Sequence, residues 1–272
     1  MIEDTTLRER IDDRSHSVDN AYWAINSNRE SDVIPTTAFR SLGLDCLEIA
    51  SCELQLGNVD TARQWFARAA FAERSYVDVF SRHFDELRTS NQNNGSTRAL
   101  LAIEDALLSG DSRLIEITAN EVLNLSDDYA TEYGRSREIY YEACMLASLS
   151  KNNNTAVRKY KTAYEDVVEE PKPHSIALMD TYDGFLADDA SAVQTALQEM
   201  VDYHAESTDD LSRWLELMSP AVGALFLIAR DRGMDITVDS WYLPGGLTTY
   251  GLTDQIDLPR PDYLREELLG EE

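Results

Sequence analysis

Apolar residues recur at the spacing of one helical face along almost the whole chain, interrupted only by short turns of Gly, Asn, Asp and Ser. Such turns reverse a helix without room for a strand crossover, so the pattern calls for antiparallel helices packed one on the next. From Phe39 to Leu56, the residues Leu42, Cys46, Ile49 and Ala50 share a face, and Gly57 and Asn58 stop that helix. Val59 to Ala72 resumes with Ala62, Trp65, Phe66 and Ala69 on one side. Ser90 to Gly95 reads as a loop. Ala99 to Leu108 and Leu114 to Leu125 flank the turn Ser109-Gly110-Asp111, and Arg135 to Leu149 and Thr155 to Val168 flank the turn after Lys151.

Pro171 and Pro173 make the clearest break, too short for a linker, so residues 1–272 are expected to be one helical domain with a weak break at 169–174. Ile176 to Leu186 and Ala190 to Ala205 pair around Asp188-Asp189. Thr208 is a suitable N-cap, with Asp209 and Asp210 in the first turn and Leu211, Trp214, Leu215 and Met218 as an apolar stripe. Pro220 fits the first position of a helix whose residues 221–229 are apolar on every side, which predicts a central element stopped by Gly233. Ile236 and Val238 alternate like a short extended segment, Trp241 to Pro261 is a Gly/Pro loop, and Tyr263 to Leu269 is a short terminal helix. The expected fold class is all-α.

Charge narrows the partners. Fifty acidic residues against 24 basic ones give a net charge of −26, which disfavours phosphate backbones and anionic membranes. Only Lys151, Lys159, Lys161 and Lys172 are lysines, and Asp outnumbers Glu. Spread along the chain, this composition resembles that of salt-loving archaea that keep salt in the cytoplasm. Acidity of that kind is solvent adaptation and says little about the partner; the alternative is an ordinary acidic protein with an acidic binding face. The charged segment from Met1 to Arg14 is no signal peptide, and no apolar run spans a bilayer, so a cytoplasmic protein is expected. Cys46, Cys52 and Cys144 form no CxxC pair and read as buried reduced thiols.

Motifs for chemistry are missing. The chain has no GxGxxG after a strand, no GxxxxGK[ST], no HExxH and no GxSxG. His16, His83, His174 and His204 are scattered, and a solvated histidine among acids is the reading for His83 and His204. The doublets Asp127-Asp128, Glu169-Glu170, Asp188-Asp189 and Asp209-Asp210 read as caps and solvated faces. No catalytic residue, metal site or cofactor is expected, and the chain is read as no enzyme.

Two resemblances remain. Ile49, Ala50, Gly57, Ala62, Phe66 and Ala69 fall where a tetratricopeptide repeat places its Leu, Gly, Gly, Ala, aromatic and Ala. Tyr140, Cys144, Ala156, Tyr160 and Ala163 give a second fit around the Lys151 turn, but the turns have no fixed period. An irregular stack of helical hairpins results. That register would turn Tyr141 and Met145 toward the concave face. Farther along, Leu225 to Pro244 runs from an apolar helix through a basic-Gly stop and an Ile-x-Val extension to Asp-Ser-Trp-Tyr-Leu-Pro. This segment resembles the close of an all-helical family of immunity proteins from polymorphic-toxin systems, immunity protein 49. The resemblance implies a protein that binds and neutralises a cognate toxin, with no catalytic residues. Candidate partner contacts are Trp241, Tyr242, Tyr141 and Met145, although for Trp241 and Tyr242 capping of the last hairpin is the favoured reading. The alternative is a helical-repeat adaptor for a peptide or regulator, and a distant third is an enzyme of unknown type.

Overall fold

The computed structural model describes residues 2–27, 36–83, 95–126, 136–207, 215–253 and 255–256. Ten α-helices and no strand are found among them. They are α1 (Asp4–Ser27), α2 (Thr36–Gln55), α3 (Val59–Arg82), α4 (Gly95–Ser109) and α5 (Ser112–Leu123), then α6 (Ser136–Ser150), α7 (Asn154–Val167), α8 (Pro173–Ala187), α9 (Ala190–Glu206) and α10 (Pro220–Asp231). A 3₁₀ turn, Gly245–Thr249, follows in the C-terminal segment. The helix expected from Thr208, the stripe residues Leu211 and Trp214, most of the Ser90 to Gly95 loop, Asp127-Asp128 and the terminal helix at Tyr263 lie outside the described residues.

One local device closes four of the hairpins. A residue in the left-handed region ends one helix, and a polar residue then opens the next. Gly57 (φ 81°), Gly110 (φ 69°), Asn152 (φ 53°) and Asp188 (φ 56°) supply the left-handed position. Asn58, Asp111, Asn153 and Asp189 follow them. Three of these four accept hydrogen bonds from the new helix: Asp111 from the amides of Arg113 and Leu114, Asn153 from Ala156, and Asp189 from Ser191 and Ala192. Asp188 and Asp189 are thus caps, as expected. At Gly110 the chain also needs the missing side chain, because a Cβ there would sit 2.7 Å from the Gly251 carbonyl oxygen.

Helices α1 to α4 pack in sequence, each on its predecessor. Pairs α6–α7 and α8–α9 continue the stack. Helix α10 does not extend it. It returns to pack on α4 and also touches α9 and α6, which makes α4 a hub bounded by α3, α5, α6 and α10. Residues 222–229 are all buried, so the prediction of a central apolar helix holds, and Gly233 (φ 76°) ends it. Buried side chains from every helix join one contiguous apolar cluster, and Leu7, Cys52 and Leu217 form a small second one. The cysteines Cys46, Cys52 and Cys144 are all buried and free, and burial pushes the Cys52 thiol up to about 12.

The first hairpin keeps the small-residue contacts of its expected register, since Ile49, Ala50, Ala62, Phe66 and Ala69 are fully buried. In the second, the buried face of α7 is instead Val157 and Tyr164, while Ala156, Tyr160 and Ala163 are half-buried. Tyr160 and Trp65 rest on the core from its edge.

Candidate functional site

Residues 232–252 form a strap that binds the far ends of the stack together. Its first part is extended, with Met234, Ile236 and Val238 buried and Asp235, Thr237 and Asp239 exposed. Although no strand pairs with it, two glutamines of α9 take the place of a neighbour's backbone. Gln194 Oε1 accepts from the Thr237 amide at 2.9 Å, and Gln198 Oε1 accepts from the Asp239 amide at 3.0 Å. Gln198 Nε2 donates back to the Asp239 carbonyl at 3.2 Å.

The next residues carry two of the candidate contacts. Gln55, at the end of α2, donates from Nε2 to the carbonyls of Leu217 (2.7 Å) and Trp241 (3.0 Å). The Ser219 amide donates to the Tyr242 carbonyl at 2.9 Å, and the Tyr242 amide donates to Ser240 Oγ at 3.1 Å. The Tyr242 ring meets His204 edge-on, with centroids 5.0 Å apart. His204 Nε2 lies 2.7 Å from the Leu215 carbonyl, which can only accept, so Nε2 carries the proton. Burial holds the His204 pKa below its ordinary value, against the pull of that carbonyl. His204 is therefore half-buried and partnered, a correction to its reading as a solvated side chain. Trp241 and Tyr242 are each half-buried, and their peptide groups bind the strap to α2 and to the start of α10.

Tyr141 and Met145 lie on α6, and the structure separates their roles. Tyr141 is half-buried and meets the buried ring of Tyr140 edge-on at 5.4 Å. Met145 is 0% exposed. Residues 143–149 are buried at every position, because α4, α5, α7 and α10 all pack on α6. The register that turns Met145 outward does not hold there, and Met145 is a core residue.

Below the 3₁₀ turn, Tyr250 donates from its hydroxyl to the Leu108 carbonyl at 2.7 Å, and Arg63 lies over its ring at 4.8 Å. Arg230 and Arg232 donate to the carbonyls of Leu247 (3.0 Å) and Leu149 (3.0 Å). Nearby, Ser112, Ile115, Glu116, Ser150, Lys151, Asp231 and Leu252 line an open cleft of about 260 Å³. Among the described residues, no three His, Cys, Asp or Glu side chains converge to hold a metal ion, and no helix is long and apolar enough to cross a membrane.

The strap is where the sequence points to kinship, and the wider chain bears it out. A family model described as immunity protein 49 matches residues 33–247. The chain belongs to the immunity protein 49 family. The match runs from just before α2 to the 3₁₀ turn, so in this immunity-family chain it takes in α4 at the hub and most of the strap. No curated protein and no solved structure matches the chain.

Sequence reasoning missed the buried charges. Glu73, Glu104, Asp105, Arg63, Arg74 and Arg98 are all buried. The signal was present in α4, where Glu104-Asp105 interrupts a helix that is otherwise apolar nearly all round.

Proposed function

We propose that this chain is a non-catalytic, cytoplasmic immunity protein that neutralises a cognate toxin by covering it. Membership of the family over residues 33–247 carries this reading. A stack of hairpins supports it, since such a stack offers a broad surface to a folded partner. Half-exposed aromatic side chains are the natural anchors, and Trp241, Tyr242 and Tyr141 remain the contacts proposed for the partner. Met145 is withdrawn from that set. In a test with a cognate toxin, Trp241→Ala or Tyr141→Ala should weaken the complex by about 2 kcal/mol with little change in melting temperature. Titration calorimetry and thermal melts on the same variants measure both. Unchanged affinity in both variants, or losses that follow the folded fraction, would remove these contacts from the interface.

We infer also that the surface acid is adaptation to the salt-filled cytoplasm of a halophilic archaeon. A net charge of −26 repels itself in dilute buffer, and at ~1 M salt the screening length falls to about 3 Å. The melting temperature should therefore rise steeply between about 0.1 M and 1 M KCl, as the screening length shortens from about 10 Å to about 3 Å. A flat profile would return the acidic surface to use as a guide to the partner. In such salt, electrostatic steering of a basic toxin is largely screened, which leaves affinity to the aromatic anchors.

A further inference from the structure

The seam between α3 and α4 holds more acid than its cations neutralise. Glu73 from α3 and Asp105 from α4 are each 1% exposed, and Glu104 is 5% exposed. Across the seam, Arg98 donates from one guanidinium nitrogen to Glu73 Oε1 at 2.8 Å. Glu73 Oε2 and both carboxyl oxygens of Asp105 are buried with no hydrogen-bond partner. The Glu73 carboxyl fills the space that Gly43 of α2 leaves open, where a Cβ would come within 2.3 Å of Oε1. Two carboxylates facing one guanidinium leave a charge of −1 in an apolar surround, at a cost of several kcal/mol if it stays ionised. A metal ion would offset it, but no converging ligand set exists among the described residues. The remaining counter-charge is a proton.

We propose that Asp105 and Glu73 are a proton-holding pair, and that loss of their proton loosens the α3–α4 seam. Cationic relief reaches Asp105 from Arg98 alone, and Glu73 from Arg98 and Arg40. Within α4, Glu104 adds repulsion and Arg98 is already bonded to Glu73; from α2, the Cys46 thiol feels the same acids. Arg40 acts on Glu73, and Glu142 of α6 acts on Glu104. The buried faces of α5 and α10 carry no titratable side chain. Burial, then repulsion from Glu73 and Glu104, holds Asp105 well above the usual carboxylate range. Burial also pushes Glu73 up to about 7 against the pull of Arg98. Because these folded values lie above the unfolded ones, their stabilisation is complete below the unfolded carboxylate range and is lost as pH rises through the folded values. Exposed carboxylates have finished titrating by then, which leaves the four histidines and the α-amino group as background between about pH 6.5 and 9, and a change that Asp105→Asn removes belongs to the pair.

Hydrogen exchange on the whole chain in molar KCl tests the device. Protection factors of the α4 amides, corrected for intrinsic exchange, should fall at least about tenfold from pH 6.5 to 9, which is one pKa unit of linkage for one group. Asp105→Asn should remove most of that fall. Infrared spectra of the wild-type chain at pH 6.5 should contain a protonated-carboxyl stretch that disappears as the pH rises, a readout that stands even if Asp105→Asn folds poorly. Either α4 protection that is independent of pH or the absence of that stretch at pH 6.5 would overturn the proposal. So would an Asp105→Asn chain that keeps the full fall.

Discussion

Arg98→Ala should cost about 3–5 kcal/mol of folding stability at pH 8, among the largest single-residue losses expected outside the apolar core. Arg98 is 7% exposed, gives Glu73 its hydrogen bond, and lies 6.0 Å from the Tyr76 ring. Without it, Glu73 is a carboxylate only 1% exposed that has lost its bonded cation. The loss should shrink on acidification, and the sign follows from the linkage. Removing Arg98 raises a Glu73 value already at about 7, so at pH 5 the carboxyl is neutral and needs no cation. Adding Glu73→Gln to Arg98→Ala should recover much of the loss at pH 8, because a neutral amide replaces the stranded charge. Urea melts of the single and double variants at pH 5 and 8 measure all of this. A loss equal at both pH values would mean that Arg98 acts by packing alone.

Helix positions were legible because this chain marks its turns plainly. Gly57-Asn58, Gly110-Asp111, Asn152-Asn153 and Asp188-Asp189 each pair a left-handed residue with the next helix's opening residue, and each pair stands between apolar stripes. The central burial of α10 followed from an apolar surface all round. Long-range placement was not legible. Periodicity says which face a helix buries but not which helix covers it, so the return of α10 to α4 left no local trace. The strap shows both sides of this limit. Alternation at Ile236 and Val238 signalled extended chain, yet the partners of its amides are Gln194 and Gln198, 43 and 41 residues away and unremarkable in sequence. Buried acids escaped for a different reason. In a chain with 50 acidic residues, the few that face inward are hidden among many that face water.

Met145→Ala should lower folding stability by about 2–5 kcal/mol, in contrast to the small stability change expected for Tyr141→Ala one helical turn away. The two side chains share a stripe by sequence spacing, so a simple two-helix register gives them the same fate. Packing separates them. Over residues 143–149 α6 has no solvent-facing side, because neighbours cover it all round, whereas Tyr141 lies outside that run and is half-buried. Removing the Met145 thioether therefore leaves a cavity that α4, α5, α7 and α10 cannot all close. Met145→Leu, which keeps the volume, should cost less than about 1.5 kcal/mol. In a complex with the toxin, binding by Met145→Ala should fall only with its folded fraction and return to the wild-type affinity under conditions that refold it. A Met145→Ala chain that melts like the wild type but binds more weakly would put this side chain back at the surface and restore the tetratricopeptide-like register for α6.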